Sequence, residues 1–181
     1  VVVDNRAGAT GMIGAQFVQQ AAPDGYTLLM MATSAHSFRP AMAKSMPFDP
    51  IDSFAPITQV VAFPLVVVVK AGSPYNSIND VVAAARKDPG KLTYGSFGSG
   101  SAPHLIAEYF ALTEKVTFTH VPYKGASQAI TDLVSGQFDF MFDSIPSPLG
   151  QIQGGRLKAL ATTGGKRAAV LPNVPTAMET I

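Results

Sequence analysis

Cysteine is missing from the sequence altogether. Its absence excludes a disulfide framework and any thiolate chemistry, and it leaves the redox compartment open. Charge is scarce as well: 14% of residues are charged, and 13 basic against 12 acidic side chains leave a formal net charge of +1. Without a strong field of one sign the chain has no means of recruiting nucleic acid or an acidic membrane surface, so the expected partner is small or weakly charged. Long apolar runs are also lacking. The most apolar window, Val60 to Val69, contains Pro64, is bounded by Gln59 and Lys70, and is too short to span a bilayer. The first residues, Val1 to Val3 followed by Asp4, Asn5 and Arg6, read as the inside of a strand rather than a basic leader with a cleavage site. The sequence is therefore expected to begin mid-domain. No repeat of fixed period and no low-complexity tract is present.

What the chain does have is 181 residues, 47% of them hydrophobic, enough for one ordinary domain or two small lobes. Short β-branched or apolar runs alternate with helical patterns, the mark of an α/β fold with a mainly parallel sheet. Strands are expected at Val1–Val3, Thr27–Ala32, Leu65–Val69, Leu92–Gly95, Thr117–Val121, Phe138–Phe142 and Leu157–Thr162. Helices are expected at Gly11–Gln20, Ile78–Lys87, Pro103–Thr113, Ser127–Ser135 and Pro148–Gln153. Ser77 or Asn79 can cap the second of these, and Asp88, Pro89 and Gly90 end it. Prolines at 40, 47, 50 and 56 make the stretch from Pro40 to Pro56 a surface excursion, and Val61 to Pro64 is a plausible hinge.

Four strand-to-helix junctions carry the candidate chemistry. Gly95 to His104 is rich in small residues, with Pro103 suited to a first helical turn and glycines that let amides converge on a carboxylate. An ordinary tight turn explains the same spacing equally well. His120 to Ser127 puts Tyr123 and Lys124 after a strand, where open α/β sheets bind ligands. Asp143 closes an apolar strand and is read either as a ligand contact or as a cap for the next helix. Ala32 to His36 is the fourth junction. Hydroxyls, amides and aromatics dominate these junctions, a composition that favours binding over catalysis.

The rival signal is Gly8-Ala9-Thr10-Gly11-Met12-Ile13-Gly14, which resembles the dinucleotide turn of short-chain dehydrogenases. Asp4 to Arg6 intervene before it, no Tyr-x-x-x-Lys pair occurs, and the strand ending at Ala32 leads to Thr33 and Ser34 rather than an acid. There is no G-x-S-x-G elbow. His36, His104 and His120 lie far apart in sequence without a carboxylate at ligand spacing, so no metal or other cofactor and no catalytic set is expected.

Read in order, Val2 to Ala9, Ala22-Pro23-Asp24-Gly25-Tyr26-Thr27-Leu28-Leu29, Phe48-Asp49-Pro50 with Phe54 to Ile57, Pro89 to Tyr94, His120 to Gly125, Phe138 to Asp143 and Leu171 to Thr176 resemble one family across essentially the whole chain. It is that of the tripartite tricarboxylate transporter substrate-binding proteins, the Bug or TctC receptors. The resemblance implies a type II periplasmic-binding-protein fold, two α/β lobes that close on a ligand, and no catalysed reaction. It implies a small organic carboxylate as ligand, delivery to the membrane carrier subunits of the transporter, and a periplasmic location reached by a secreted precursor. By position it assigns one carboxylate to the loop Gly98, Ser99, Gly100, Ser101 and Ala102, with further contacts from Ser34, Ala35 and His36 and, in the second lobe, from Tyr123 and Asp143. The family's first strand with its Pro-Phe-x-x-Gly-Gly loop, its signal peptide and its terminal helices have no counterpart here. Residues 1–62 are thus expected to form an incomplete first lobe, and residues 63–181 the second lobe with the start of the return segment.

Overall fold

The run Leu65–Val69 offers water no polar face, and such a run is stable as a strand only where both faces are covered. The computed structural model describes all 181 residues and puts this run inside a sheet. In chain order the regular elements are α1 (Met12–Gln19), α2 (Arg39–Met42), β1 (Leu65–Lys70), α3 (Ile78–Lys87), β2 (Thr93–Ser96), α4 (Ala102–Glu114), β3 (Thr119–Pro122), α5 (Ala126–Ser135), β4 (Phe140–Ser144), α6 (Leu149–Gln153) and β5 (Leu157–Thr162). The sheet order is β3-β2-β4-β1-β5.

Side chains of β1 alternate between two cores. Val67 and Val69 pack with Ile78, Val81 and Val82 of α3, Ala107 and Phe110 of α4, and Phe140 and Phe142 of β4. Val66 and Val68 pack on the other face with Ala129, Ile130 and Leu133 of α5 and Met141 of β4. The result is a helix–sheet–helix sandwich.

β2 is parallel to β3 and to β4, whereas β1 is antiparallel to both of its neighbours, β4 and β5. Four strands therefore point one way and β1 the other, so the sheet is mainly parallel as its alternating pattern predicts. Local pattern carries no information about the reversal of β1, because a strand buried on both faces reads alike in either direction.

Sequence signals fix α3 well. Ser77 Oγ accepts the Asp80 amide at 3.2 Å, and Asp80 Oδ2 accepts the Ser77 amide at 2.9 Å, a reciprocal capping box. Ser77 and not Asn79 is the cap; the Asn79 side-chain amide donates instead to the Thr180 carbonyl at 3.0 Å.

Two expected strands are corrected. Val1–Val3 and Thr27–Ala32 form no ladder, and Val1, Val2, Val3, Leu28 and Met30 are exposed. Their β-branched or apolar composition suits a strand, but a strand exists only through a partner, and none lies beside either segment. The segment before residue 63 builds a small core of its own from Met12, Ala15, Ala35 and Phe48, with Phe54 edge-on to Phe48 at 5.4 Å. Ser34–Phe38 forms a wide helical turn running into α2 rather than an open loop.

Gly95 shows how tightly β2 is held. A Cβ there would lie 2.4 Å from Cζ of the buried Phe138 ring. Gly95→Ala is expected to lower unfolding free energy by about 2 kcal/mol in a urea titration. An unchanged midpoint would mean that the ring swings aside freely.

Candidate functional site

Because β2 and β3 are parallel, their carboxyl ends lie side by side, with Ser96 opposite Pro122 and the Tyr123 amide donating to the Ser96 carbonyl at 2.9 Å. The segments leaving both strands therefore emerge together, as the crossover rule for open α/β sheets requires. The turn before α1 and the start of α2 close over them. Ala9, Thr10, Arg39, Phe97, Gly98, Ser99, Tyr123 and Lys124 line a cleft of about 170 Å³.

Gly98 is where the three segments meet. Its φ is +104°, a left-handed value that disfavours a side chain, and a Cβ would lie 3.6 Å from Thr10 Cγ2 and 3.7 Å from the Tyr123 carbonyl. Thr10 itself has φ 56° and ψ 32°, an unfavourable conformation for a β-branched residue, and Ala9 beside it has φ 46°. Backbone strain of this sort persists where the surroundings enforce it, and it clusters at binding sites.

The cleft is positive. Arg39 and Lys124 are its only charged lining residues, no acid lines it, and neither cation takes part in the ion pairs Arg6–Asp4, Arg86–Glu114, Lys91–Asp88 and Arg167–Glu179. α5 begins at Ala126, separated from Lys124 by the N-cap Gly125 alone, with no side chain capping its first amides, which sets the positive end of its dipole near the lysine. Tyr123 adds an aromatic wall; partial burial and the neighbouring Asp132 push its hydroxyl up to about 12, so it stays protonated.

The glycine-rich loop is less open than the sequence implies. The Gly98 amide donates to Ser96 Oγ at 3.1 Å, that of Gly100 to His104 Nδ1 at 3.3 Å, that of Ser101 to the Gly98 carbonyl at 3.1 Å and that of Ala102 to Ser34 Oγ at 3.0 Å. Only the Ser99 amide within Gly98–Ala102 is left without a protein partner.

Of the residues singled out from sequence, Gly98, Ser99, Tyr123 and Lys124 line the cleft. Ser34 ties the first segment to the start of α4, Ala35 is buried in the small core, and His36 is exposed and outside the cleft. Gly100, Ser101 and Ala102 shape the loop from behind, with Ser101 capping α4. Asp143 is fully buried in β4 and does not reach the cleft. Its Oδ1 accepts the Ser144 amide at 2.6 Å, whereas Oδ2 has no partner. Burial pushes its carboxyl up to about 6, against the opposing pull of the Ser147 and Ser144 groups nearby.

Ala9, Thr10, Arg39 and Phe97 join the site only in three dimensions. The turn Gly8–Gly11 had a signal, but one that resembled a dinucleotide site; no strand precedes it, so the strand–turn–helix context of such a site is missing. The histidines also differ from expectation. His104 and His120, 16 residues apart in sequence, bring their ring centroids within 4.4 Å, because the first turn of α4 lies over Tyr94 of β2, and His120 is the residue opposite Tyr94 on β3.

The model of the tripartite tricarboxylate transporter receptor family, TctC, matches residues 1–181, and the chain belongs to that family. A UPF0065 protein from the tcbD-tcbE intergenic region of a Pseudomonas species is 40% identical over 179 residues, which are 99% of this chain and 53% of that protein. Among solved structures, the periplasmic binding protein BugD is 36% identical with a TM-score of 0.93 over 99% of this chain and 60% of its own. An R. palustris protein with adipate is 32% identical with a TM-score of 0.94, over 98% of this chain and 60% of its own. MatC from Rhodopseudomonas palustris with bound malate is 28% identical with a TM-score of 0.87, over 95% and 58%. The chain thus spans about half the length of the curated relatives it matches.

Asp143 gives a pH test. Its folded pKa of about 6 lies above the 3.8 of an unperturbed Asp, so its ionisation costs stability that is intact below pH 3.8 and lost as pH rises through 6. Asp143→Asn is expected to stabilise the fold by about 1–2 kcal/mol at neutral pH, with the gain vanishing near pH 4. Urea unfolding at both pH values checks this; a loss at neutral pH would show that the carboxylate is held favourably.

Proposed function

We propose that this chain is the ligand-binding part of a periplasmic receptor that captures a small organic carboxylate and delivers it to the membrane carrier of a tripartite tricarboxylate-type transporter. The observation that carries the reading is the pairing of Arg39 and Lys124, free of ion pairs, across one small cleft together with the free Ser99 amide. Two cations free of ion pairs and an amide suit an anion, and charge-assisted hydrogen bonds to a carboxylate are roughly twice as strong as neutral ones. The ligands of two structural neighbours, adipate and malate, are small dicarboxylic acids, in keeping with a site that presents two positive groups.

Binding rather than turnover is the reading, since the lining offers cations, an amide, the hydroxyls of Thr10, Ser99 and Tyr123, and aromatics without a nucleophile–base pair. We further assign residues 1–62 to one lobe and 63–181 to the other. The small core of the first segment shares no residue with the two cores on the sheet, and no helix or strand spans Ile57–Pro64 between them. A ligand touching Arg39 on one side and Lys124 on the other would favour a closed arrangement over an open one.

Calorimetry of the whole protein with adipate and malate tests the reading. Binding heat is expected for at least one acid and none for a nicotinamide dinucleotide; Arg39→Ala and Lys124→Ala are each expected to weaken binding about tenfold. Neutralised variants that bind as tightly as the parent would sink the assignment of the cleft.

A further inference from the structure

Two imidazoles, one from α4 and one from β3, lie behind the cleft loop and hold it at two points. His120 stacks on Tyr94 at 4.9 Å and 20°, and His104 lies 4.4 Å from His120. His104 Nδ1 accepts the Gly100 amide at 3.3 Å. His120 Nε2 lies 2.6 Å from Ser96 Oγ, and that buried hydroxyl oxygen accepts the Gly98 amide at 3.1 Å. Gly98 and Gly100 flank Ser99, whose amide is the one left free and which lines the cleft.

We propose that His104 and His120 are positioning residues that anchor the loop on either side of Ser99 and so aim its amide at the ligand, and that protonation of His104 frees Gly100 and weakens binding. The proposal rests on the carboxylate reading of the cleft.

The chemistry of the two rings separates their roles. An imidazole nitrogen accepts only while it carries no proton, so the Gly100 bond requires a neutral His104 with its proton on Nε2. Protonation turns Nδ1 into a donor facing another donor. His120 has an alternative: once protonated, Nε2 donates to Ser96 Oγ, and the serine hydroxyl turns to the Gly98 carbonyl 3.3 Å away. Acid therefore acts on the loop through His104. The titratable groups facing the pair are Glu108 of α4 and Tyr94 of β2, whose hydroxyl donates to Glu108. Burial and charge on His104 both hold the His120 proton affinity down, while Glu108 opposes them.

The test follows the Gly98 and Gly100 amide resonances of the whole protein, labelled with nitrogen-15 at glycine, from about pH 8 to about pH 6, a range in which adipate stays mostly dianionic, alongside calorimetry with adipate. The Gly100 resonance is expected to move as His104 is protonated, and adipate affinity to fall about fivefold over the same range. His104→Asn, whose Oδ1 replaces Nδ1 as acceptor without titrating, is expected to hold both at their pH 8 values, which also separates this effect from the Asp143 carboxyl. His104→Phe keeps the ring contacts without the acceptor and is expected to bind about fivefold more weakly at every pH. A Gly100 resonance indifferent to histidine protonation, or a His104→Phe protein that binds like the parent, overturns the proposal. If adipate fails to bind at any pH, the carboxylate reading falls, and the glycine titration still decides whether the histidines anchor the loop.

Discussion

The parallel pairing of β2 with β3, running from Thr93 opposite Thr119 to Ser96 opposite Pro122, is the constraint on which the cleft depends. It sends the glycine-rich loop and the Tyr123–Lys124 segment out of the sheet at one edge and in one direction. Antiparallel pairing would have put them at opposite ends. The second parallel pairing, between β2 and β4, locks β2 in the interior, where Gly95 leaves room for the Phe138 ring and Tyr94 stacks against His120. Sheet register, aromatic packing and loop placement are thus one arrangement rather than three.

Onto this edge the first segment brings what the sheet does not supply. The strained turn at Ala9 and Thr10 and the start of α2 at Arg39 lean on the loop, and the Ser34 hydroxyl joins the two parts by accepting the Ala102 amide. Positive charge is concentrated at the cleft although the chain as a whole is nearly neutral, so a local field arises without a global one. The carboxyl of Asp143, whose Oδ2 has no partner, is buried in β4, away from the cleft lining.

Much of this was legible in the sequence. The spans of α3 and β5 follow from periodicity and caps, and the loop after β2 and the pair Tyr123–Lys124 follow from the rule that ligands sit at strand carboxyl ends. Other features were not, for identifiable reasons. Val1–Val3 and Thr27–Ala32 have strand composition, yet pairing is a tertiary property. Arg39 lies in a proline-rich stretch without a period that would aim it anywhere. The amides of Gly98, Gly100 and Ala102 look free in one dimension and are occupied in three, by a serine, a histidine and a serine from elsewhere in the chain. His104 and His120 seemed unrelated because sequence distance hides a helix folded over a strand.

The central claim is that the cleft at the β2 and β3 carboxyl ends holds the carboxylate. A crystal structure of the whole protein grown with adipate tests it most directly. The account predicts electron density for a carboxylate group within hydrogen-bond reach of the Ser99 amide and of Arg39 or Lys124. Adipate seated elsewhere, with these three groups facing only solvent, would contradict it.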